Sequence, residues 1–177
     1  MLPTILAFDI ETIPDIAGIR LLYQLPADLP DADVAEFAFQ RRRQQTGSDF
    51  LPLHLQRVLV ISCALRFGAD KFKVWSLGSA DQQDEAALIR AFYDGIAKYT
   101  PQLVSWNGAG FDLPVLNYRG IIHGIQADRF WDMGENDRDF KYNNYISRYH
   151  TRHMDLMDML SMYQGRGNAP LDEMAKL

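Results

Sequence analysis

The sequence lacks the features that mark secreted, membrane-spanning and disulfide-stabilised proteins. It has one cysteine, Cys63, in 177 residues, so no internal disulfide can form. No apolar stretch approaches the length of a membrane span, and there is no charged-then-apolar signal peptide. Together these absences predict a cytoplasmic protein with no membrane partner. We interpret Cys63 as a small core residue, because it lies in an apolar run with no histidine near it in sequence.

Histidine and positive charge are also scarce. The four histidines lack the compact spacing of zinc ligands, so a zinc site is not expected. Lysine and arginine number 18 against 23 acidic residues, which gives a formal net charge of −5. Proteins that hold nucleic acid by charge alone usually carry a basic surplus, so general coating of nucleic acid is disfavoured. A metal-dependent nuclease is still compatible, because bound cations reverse the local sign of charge.

Hydrophobic residues make up 47% of the chain, enough for a single ordered domain. β-Branched and aromatic runs predict strands at 2–6, 58–67, 72–77, 102–106 and 153–155. Apolar spacing predicts helices at 32–45, 81–99, 113–123, 156–163 and from 168 onward. Asp28 or Asp31 is expected to cap the first of these, and Asn168 the last. The pattern predicts the α/β class: a mixed five-stranded sheet flanked by helices, with 14–56 as a helical insertion.

Two acidic residues, Asp9 and Glu11, follow the first apolar run. Side chains alternate along a strand, so both carboxylates project from one face while Phe8 and Ile10 point the other way. Neighbouring carboxylates repel each other, and Mg²⁺ or Mn²⁺, which prefer oxygen ligands, would relieve that repulsion. Alternatively, the strand frays into a turn at residues 12–14 and both acids are simply hydrated.

A third acid, Asp112, ends the loop between the predicted strand at 102–106 and the next helix. Loops at the carboxyl ends of strands in α/β sheets commonly hold ligands. Gly108 and Gly110 allow a tight turn, but they are weak evidence of phosphate binding without a full glycine-rich fingerprint. Taken alone, Asp112 is best interpreted as a helix N-cap, because aspartate is preferred there and Pro114 fits the first turn.

The acidic positions together form a more specific pattern. Phe8-Asp9-Ile10-Glu11-Thr12, followed far downstream by Asn107 and, after three residues, Phe111-Asp112, resembles the DEDD superfamily of 3′→5′ exonucleases. Two further segments are similar to the branch related to the proofreading exonuclease domain of family B DNA polymerases: Ser105-Trp106-Asn107-Gly108 and His153-Met154-Asp155-Leu156.

The resemblance implies a ribonuclease H-like fold, with the first strand central, and a site for two Mg²⁺ or Mn²⁺ ions. The metal ligands and catalytic residues that it implies are Asp9, Glu11 and Asp112. The substrate-binding positions that it implies are Asn107, Phe111, Ile10 and Thr12. The implied reaction is two-metal hydrolysis of the terminal phosphodiester at the 3′ end of a single-stranded nucleic acid, expected to be DNA.

One part of the family pattern is missing. The branch carries a fourth acid as tyrosine, three residues and aspartate, whereas Tyr163 is followed at that spacing by Gly167. We therefore expect the single domain, residues 1–177, to be C-terminally incomplete and its nuclease activity to be weak or absent. Two alternatives stay open: a catalytically inactive nucleic-acid-binding or docking module with the same fold, and an α/β domain whose acids are only caps and surface residues.

Two further features each have two interpretations. Asp155 either lies near the metals or, as we favour, is a buried carboxylate held by hydrogen bonds. The segment 131–149 interleaves aromatic and basic residues, as single-strand binding surfaces do. A long loop equally needs aromatic anchors to the core, and the sequence favours neither interpretation.

Overall fold

The computed structural model describes residues 3–78 and 84–177. In these residues five strands form one sheet: β1 (Ile5–Pro14), β2 (Gln56–Phe67), β3 (Lys71–Leu77), β4 (Gln102–Ser105) and β5 (His153–Asp155). Their order is β3-β2-β1-β4-β5, which places β1 at the centre. β2 runs antiparallel to both β1 and β3, whereas β4 runs parallel to both β1 and β5.

The helices of the described residues are α1 (Ile16–Tyr23), α2 (Asp31–Thr46), α3 (Glu85–Tyr99), α4 (Asp112–Ile122), α5 (Asp128–Trp131), α6 (Leu156–Leu160) and α7 (Leu171–Lys176). Short 3-10 turns lie at Leu53–Leu55, Arg138–Lys141 and Gly165–Gly167. α3 and α4 pack against β2 and against each other, whereas α6 contacts β4 and β5. The predicted α/β class, a mixed five-stranded sheet flanked by helices, is confirmed.

β1 buries one face because its apolar side chains alternate with its acidic ones. Leu6, Phe8 and Ile10 are each 5% exposed and belong to the main core cluster. The centre of the Phe8 ring lies 5.1 Å from that of Phe92 on α3. The two acids of β1 are exposed on the opposite face. Burial of the apolar face therefore determines the direction in which the acids point.

The chain between β1 and β2 forms α1, α2 and one 3-10 turn. Its apolar residues build a second, smaller core cluster of Ile19, Val34, Ala38, Leu51 and Leu55. The helix predicted at 32–45 is confirmed as α2, but neither Asp28 nor Asp31 caps it. Pro30 precedes its first turn, and the Asp31 carboxylate instead lies 2.8 Å from the Arg20 guanidinium. The assignment of residues 14–56 as an insertion in a single domain stays a prediction.

The first strand extends further than predicted. β1 continues to Pro14 rather than fraying after Glu11, because β2 pairs with it as far as Gln56. The predicted interpretation of a solvated turn at 12–14 is therefore wrong. The predicted helix start at 81–83 lies outside the described residues, and α3 begins after Asp84, whose side chain accepts from the Ala87 N–H.

Two boundaries after β5 also differ from prediction. α6 ends at Leu160, short of residue 163, because Met162 and Tyr163 have left-handed φ values of 52° and 60°. α7 begins after Pro170, so the predicted Asn168 cap is wrong.

The structure also bears on the membrane prediction. No helix within residues 3–78 and 84–177 is long and apolar enough to cross a membrane. The cytoplasmic location stays a prediction.

Candidate active site

Asp9 and Glu11 lie inside β1 rather than at a frayed end. They pair with Ser62 and Val60 of β2, and the register shifts between Glu11 and Thr12. The pairing holds the backbone on both sides of the two acids, so their carboxylates project side by side from the exposed face. The sequence prediction of a shared face is confirmed.

Asp112 reaches β1 from a distant part of the chain. β4 pairs with β1 only as far as Ala7, so the β1 edge beyond that point is not covered by β4. There Asp112 Oδ1 accepts the Ile10 N–H at 3.0 Å. Asp112 is only 3% exposed. It is the first residue of α4, whose N-cap is Phe111, so the interpretation of Asp112 as the cap is wrong.

These three acids, which we call the carboxylate site (Asp9, Glu11 and Asp112), are coupled by charge. Burial, and then the charge of Asp9, raises the pKa of Asp112 to about 7, although the Ile10 N–H and its own N–H oppose the rise. Burial, and then the charge of Glu11, raises the pKa of Asp9. The charges that raise these two pKa values are those of other acids: Asp9 and Asp155 act on Asp112, and Glu11 acts on Asp9. The site therefore concentrates negative charge beside β1.

The donor chemistry of the carboxylate site fits a hard divalent cation. All of its donors are carboxylate oxygens, which Mg²⁺ and Mn²⁺ prefer. As they stand, however, the described residues contain no group of three His, Cys, Asp or Glu side chains that forms a ready-made metal site. Asp9 and Glu11 are exposed, so their side chains can change rotamer around the fixed Asp112.

The loop between β4 and α4 is held by hydrogen bonds to its own backbone and to β5. The Gly110 and Phe111 N–H groups both donate to the Asn107 carbonyl at 3.0 Å. Asp155, 6% exposed, accepts from the Asn107 N–H at 2.8 Å and from the Ala109 N–H at 2.9 Å. The favoured interpretation of Asp155, a buried carboxylate held by hydrogen bonds, is confirmed.

The four implied substrate positions lie in different environments. Asn107 is exposed, and Phe111 is half-buried with its ring centre 5.7 Å from that of the exposed Phe50. The Ile10 side chain is buried in the core, so from this position only the backbone lies at the carboxylate site. The Thr12 hydroxyl donates to Gln56 Oε1 at 3.0 Å. Of the four, only the Asn107 side chain is exposed, and the substrate-binding roles of all four stay predictions.

The segment 131–149 is anchored to the core through part of its aromatic residues. Phe140 and Tyr145 are buried, and the Tyr145 hydroxyl donates to the Pro101 carbonyl at 2.6 Å. The guanidinium carbons of Arg129 and Arg152 lie 4.2 and 4.0 Å from the centre of the Phe140 ring. These contacts favour the anchoring interpretation for the buried rings.

A second charged group, which no sequence pattern predicted, lies apart from these acids; we call it the charged core cluster (Asp15, Glu85, Arg119 and His123). Arg119 is 3% exposed and Glu85 4%. Arg119 donates to both Glu85 oxygens, at 2.8 and 2.5 Å, and to Asp15 at 2.5 Å. The Val58 N–H and the His123 ring also contact Glu85, each at 2.7 Å. No local sequence signal links these residues, because 104 positions separate Asp15 from Arg119.

Comparison with known proteins adds a family and a similar structure. The profile of a family described as "Predicted 3'-5' exonuclease related to the exonuclease domain of PolB" matches residues 48–177. The match includes Asp112, whereas Asp9 and Glu11 lie before it. A solved structure of the family B DNA polymerase from the hyperthermophilic archaeon Pyrobaculum calidifontis is similar at 18% identity and a TM-score of 0.43. That similarity covers 72% of this chain and 12% of the polymerase chain. No curated protein sequence matches.

Proposed function

Because the chain belongs to the family of predicted 3′-5′ exonucleases related to the exonuclease domain of PolB, we propose that it is built to remove nucleotides from the 3′ end of single-stranded nucleic acid. DNA is the expected substrate, and Mg²⁺ or Mn²⁺ the expected cofactor. One observation supports this proposal most: the Ile10 N–H bonds Asp112 across 102 residues and so holds a third carboxylate beside β1.

The carboxylate site would hold the divalent cations. Bound cations would supply an activated water and stabilise the leaving oxygen of the terminal phosphodiester. Asn107, exposed in the adjoining loop, can donate its amide to the substrate backbone, and the half-buried Phe111 offers a ring edge to the terminal nucleotide. Neutralising these carboxylates also lets a phosphate approach a chain whose net charge is −5.

The proposed site has three of the four acids that the family resemblance implies. Residues 156–177 contain no tyrosine followed four positions later by aspartate, since Gly167 stands where the acid after Tyr163 would be. Without that fourth acid, one cation has fewer ligands. We therefore expect the 177-residue chain to bind cations but to hydrolyse slowly.

Cation binding can be tested without any assay of activity. A ligand that binds only the folded chain at 100 times its Kd stabilises it by about 2.7 kcal/mol. We expect Mn²⁺ to raise the thermal unfolding temperature of the metal-free chain and Asp9→Ala to remove most of that rise. Asp70→Ala, in the exposed β2–β3 turn, is the matched control and should respond as the unaltered chain does. A rise that is absent, or that Asp9→Ala leaves unchanged, would remove metal-dependent hydrolysis from consideration.

Because Asp112 Oδ1 already accepts the Ile10 N–H within the fold, a second candidate is a catalytically inactive module in which this acid is structural and the chain binds nucleic acid or docks a partner. The two candidates differ in the fate of a 3′-labelled single-stranded oligonucleotide incubated with Mn²⁺. Slow release of labelled mononucleotide that disappears in Asp112→Asn supports the exonuclease. Binding of an oligonucleotide that stays intact in both chains supports the inactive module.

A further inference from the structure

The loop from β4 to α4 determines where Asp112 and Asn107 lie. Asn107 has a left-handed φ of 61°, a conformation that costs most residues roughly 1–2 kcal/mol and that asparagine tolerates better. Five residues later the chain enters α4 at Asp112, with the Leu113 N–H bonded to the Gly108 carbonyl at 2.9 Å. Such a short, strained loop needs outside contacts to keep a single conformation.

Asp155 supplies most of those contacts from β5. Its Oδ1 accepts the Asn107 N–H at 2.8 Å and the Met157 N–H at 3.2 Å, and its Oδ2 accepts the Ala109 N–H at 2.9 Å. Hydrogen bonds to a charged acceptor are about twice as strong as neutral ones. Both oxygens are therefore committed to backbone N–H groups, which leaves this carboxylate poorly suited to ligate a cation.

A second set of contacts, made by the ends of β4 and β5, also holds this loop. Ser105 Oγ and His153 Nε2, both buried, lie 2.8 Å apart on the neighbouring strands β4 and β5. Gly108 packs directly on the Ser105 side chain, so closely that a Cβ at this position would overlap Ser105 Oγ. The first half of the loop thus lies between the ends of β4 and β5 and cannot shift without breaking one of these contacts.

From this geometry we propose that Asp155 is a positioning residue: it holds the β4–α4 loop so that Asp112 reaches β1 and Asn107 faces the substrate, and it is not the missing fourth ligand. The inference rests on the proposed function of the carboxylate site. Outer hydrogen-bond partners of metal ligands typically change metal affinity 10- to 100-fold when they are altered. The proposal therefore predicts that altering Asp155 weakens cation binding without abolishing it.

The first experiment uses the metal-free chain and so does not depend on the proposed function. In amide hydrogen exchange followed by NMR, the Asn107 and Ala109 N–H groups should exchange slowly in the unaltered chain. Asp155→Asn should accelerate both by at least about tenfold, the loss expected from a net hydrogen bond of about 1.5 kcal/mol, while amides of the β1–β2 ladder keep their rates. The matched control is Asp158→Asn in α6, the helix that follows Asp155, because the Asp158 carboxylate binds Arg148 instead of the loop.

The second experiment measures the Mn²⁺ concentration that gives half of the maximal thermal stabilisation. We expect Asp155→Asn to raise it about tenfold, Asp158→Asn to leave it unchanged, and Asp112→Asn to abolish the response. If Asp155→Asn abolishes the response as Asp112→Asn does, Asp155 is a ligand and the proposal is wrong. An unchanged half-point for Asp155→Asn would equally overturn it.

The two experiments separate the possible failures. If the unaltered chain shows no Mn²⁺ response, the proposed function fails, whereas exchange still reports whether Asp155 holds the loop. If Asp155→Asn does not fold, the unaltered chain decides: Asn107 and Ala109 amides that exchange as fast as exposed amides would rule out the positioning role.

Discussion

The carboxylate site and the charged core cluster are both built from acids that are far apart in sequence, yet they treat charge in opposite ways. In the charged core cluster, Glu85 is buried, but both of its oxygens accept bonds from Arg119. In the carboxylate site, Asp112 is equally buried, but the charges that raise its pKa are those of other acids. Glu85 is held by a buried cation, whereas Asp112 is opposed by the acids around it.

We interpret the charged core cluster as structural and, under the proposed function, the carboxylate site as a place for a cation. A buried ion pair whose hydrogen bonds are all made connects the secondary-structure elements that carry it. Removing one partner leaves the other charge buried and unpaired. The charged core cluster in this way joins the end of β1, the start of α3 and the end of α4. Acids that raise one another's pKa destabilise the folded chain slightly and are relieved by a ligand of opposite charge, which is why such groups mark functional sites.

The largest effect on stability should come from removing the cation of the charged core cluster. Arg119→Met leaves the buried Glu85 without its main partner, so we expect the free energy of unfolding to fall by about 3–5 kcal/mol, measured by urea denaturation. Arg43→Met is the matched control, because Arg43 also approaches two acids, Glu36 and Asp49, but is half exposed. Its loss should cost at most about 1 kcal/mol. Equal losses in the two variants would contradict the distinction.

A smaller effect on stability, of opposite sign, is expected in the carboxylate site. Asp112→Asn keeps an oxygen that accepts the Ile10 N–H but removes a charge that Asp9 opposes. At pH 8, with a chelator present, we expect this substitution to raise the free energy of unfolding by about 1 kcal/mol. Glu85→Gln, the same kind of change in the charged core cluster, should lower it. Destabilisation by both substitutions would show that Asp112 is structural.

The last prediction concerns the direction in which that gain changes with pH. Asp112 ionises near 3.8 in the unfolded chain, whereas burial and Asp9 raise its pKa to about 7 in the folded chain. Between these values the folded chain binds more protons, so the Asp112 contribution to stability falls as the pH rises and is constant above about 7. The difference in unfolding free energy between Asp112→Asn and the unaltered chain should therefore shrink from pH 8 to pH 5. Parallel curves would contradict the raised pKa.

Local pattern was enough to predict most of the sheet and the direction of two acids. Apolar alternation along β1 placed Asp9 and Glu11 on one face, and the hairpin and the strand–helix–strand order predicted the mixed sheet. Preferences of single residues failed where a tertiary partner competed. Asp112 has the sequence context of an N-cap but bonds β1 instead, and Asp31 binds Arg20 rather than capping α2.

The sequence by itself determined the α/β class, the family pattern and the outward face of Asp9 and Glu11, because these depend on periodicity and spacing along the chain. Only the tertiary structure decided that Asp112 meets β1, that Asp155 serves the loop and that Arg119 balances Glu85. Each of these contacts joins residues at least 34 positions apart. The packing of the helices on the sheet determines which residues make these contacts, and no local sequence signal indicates them.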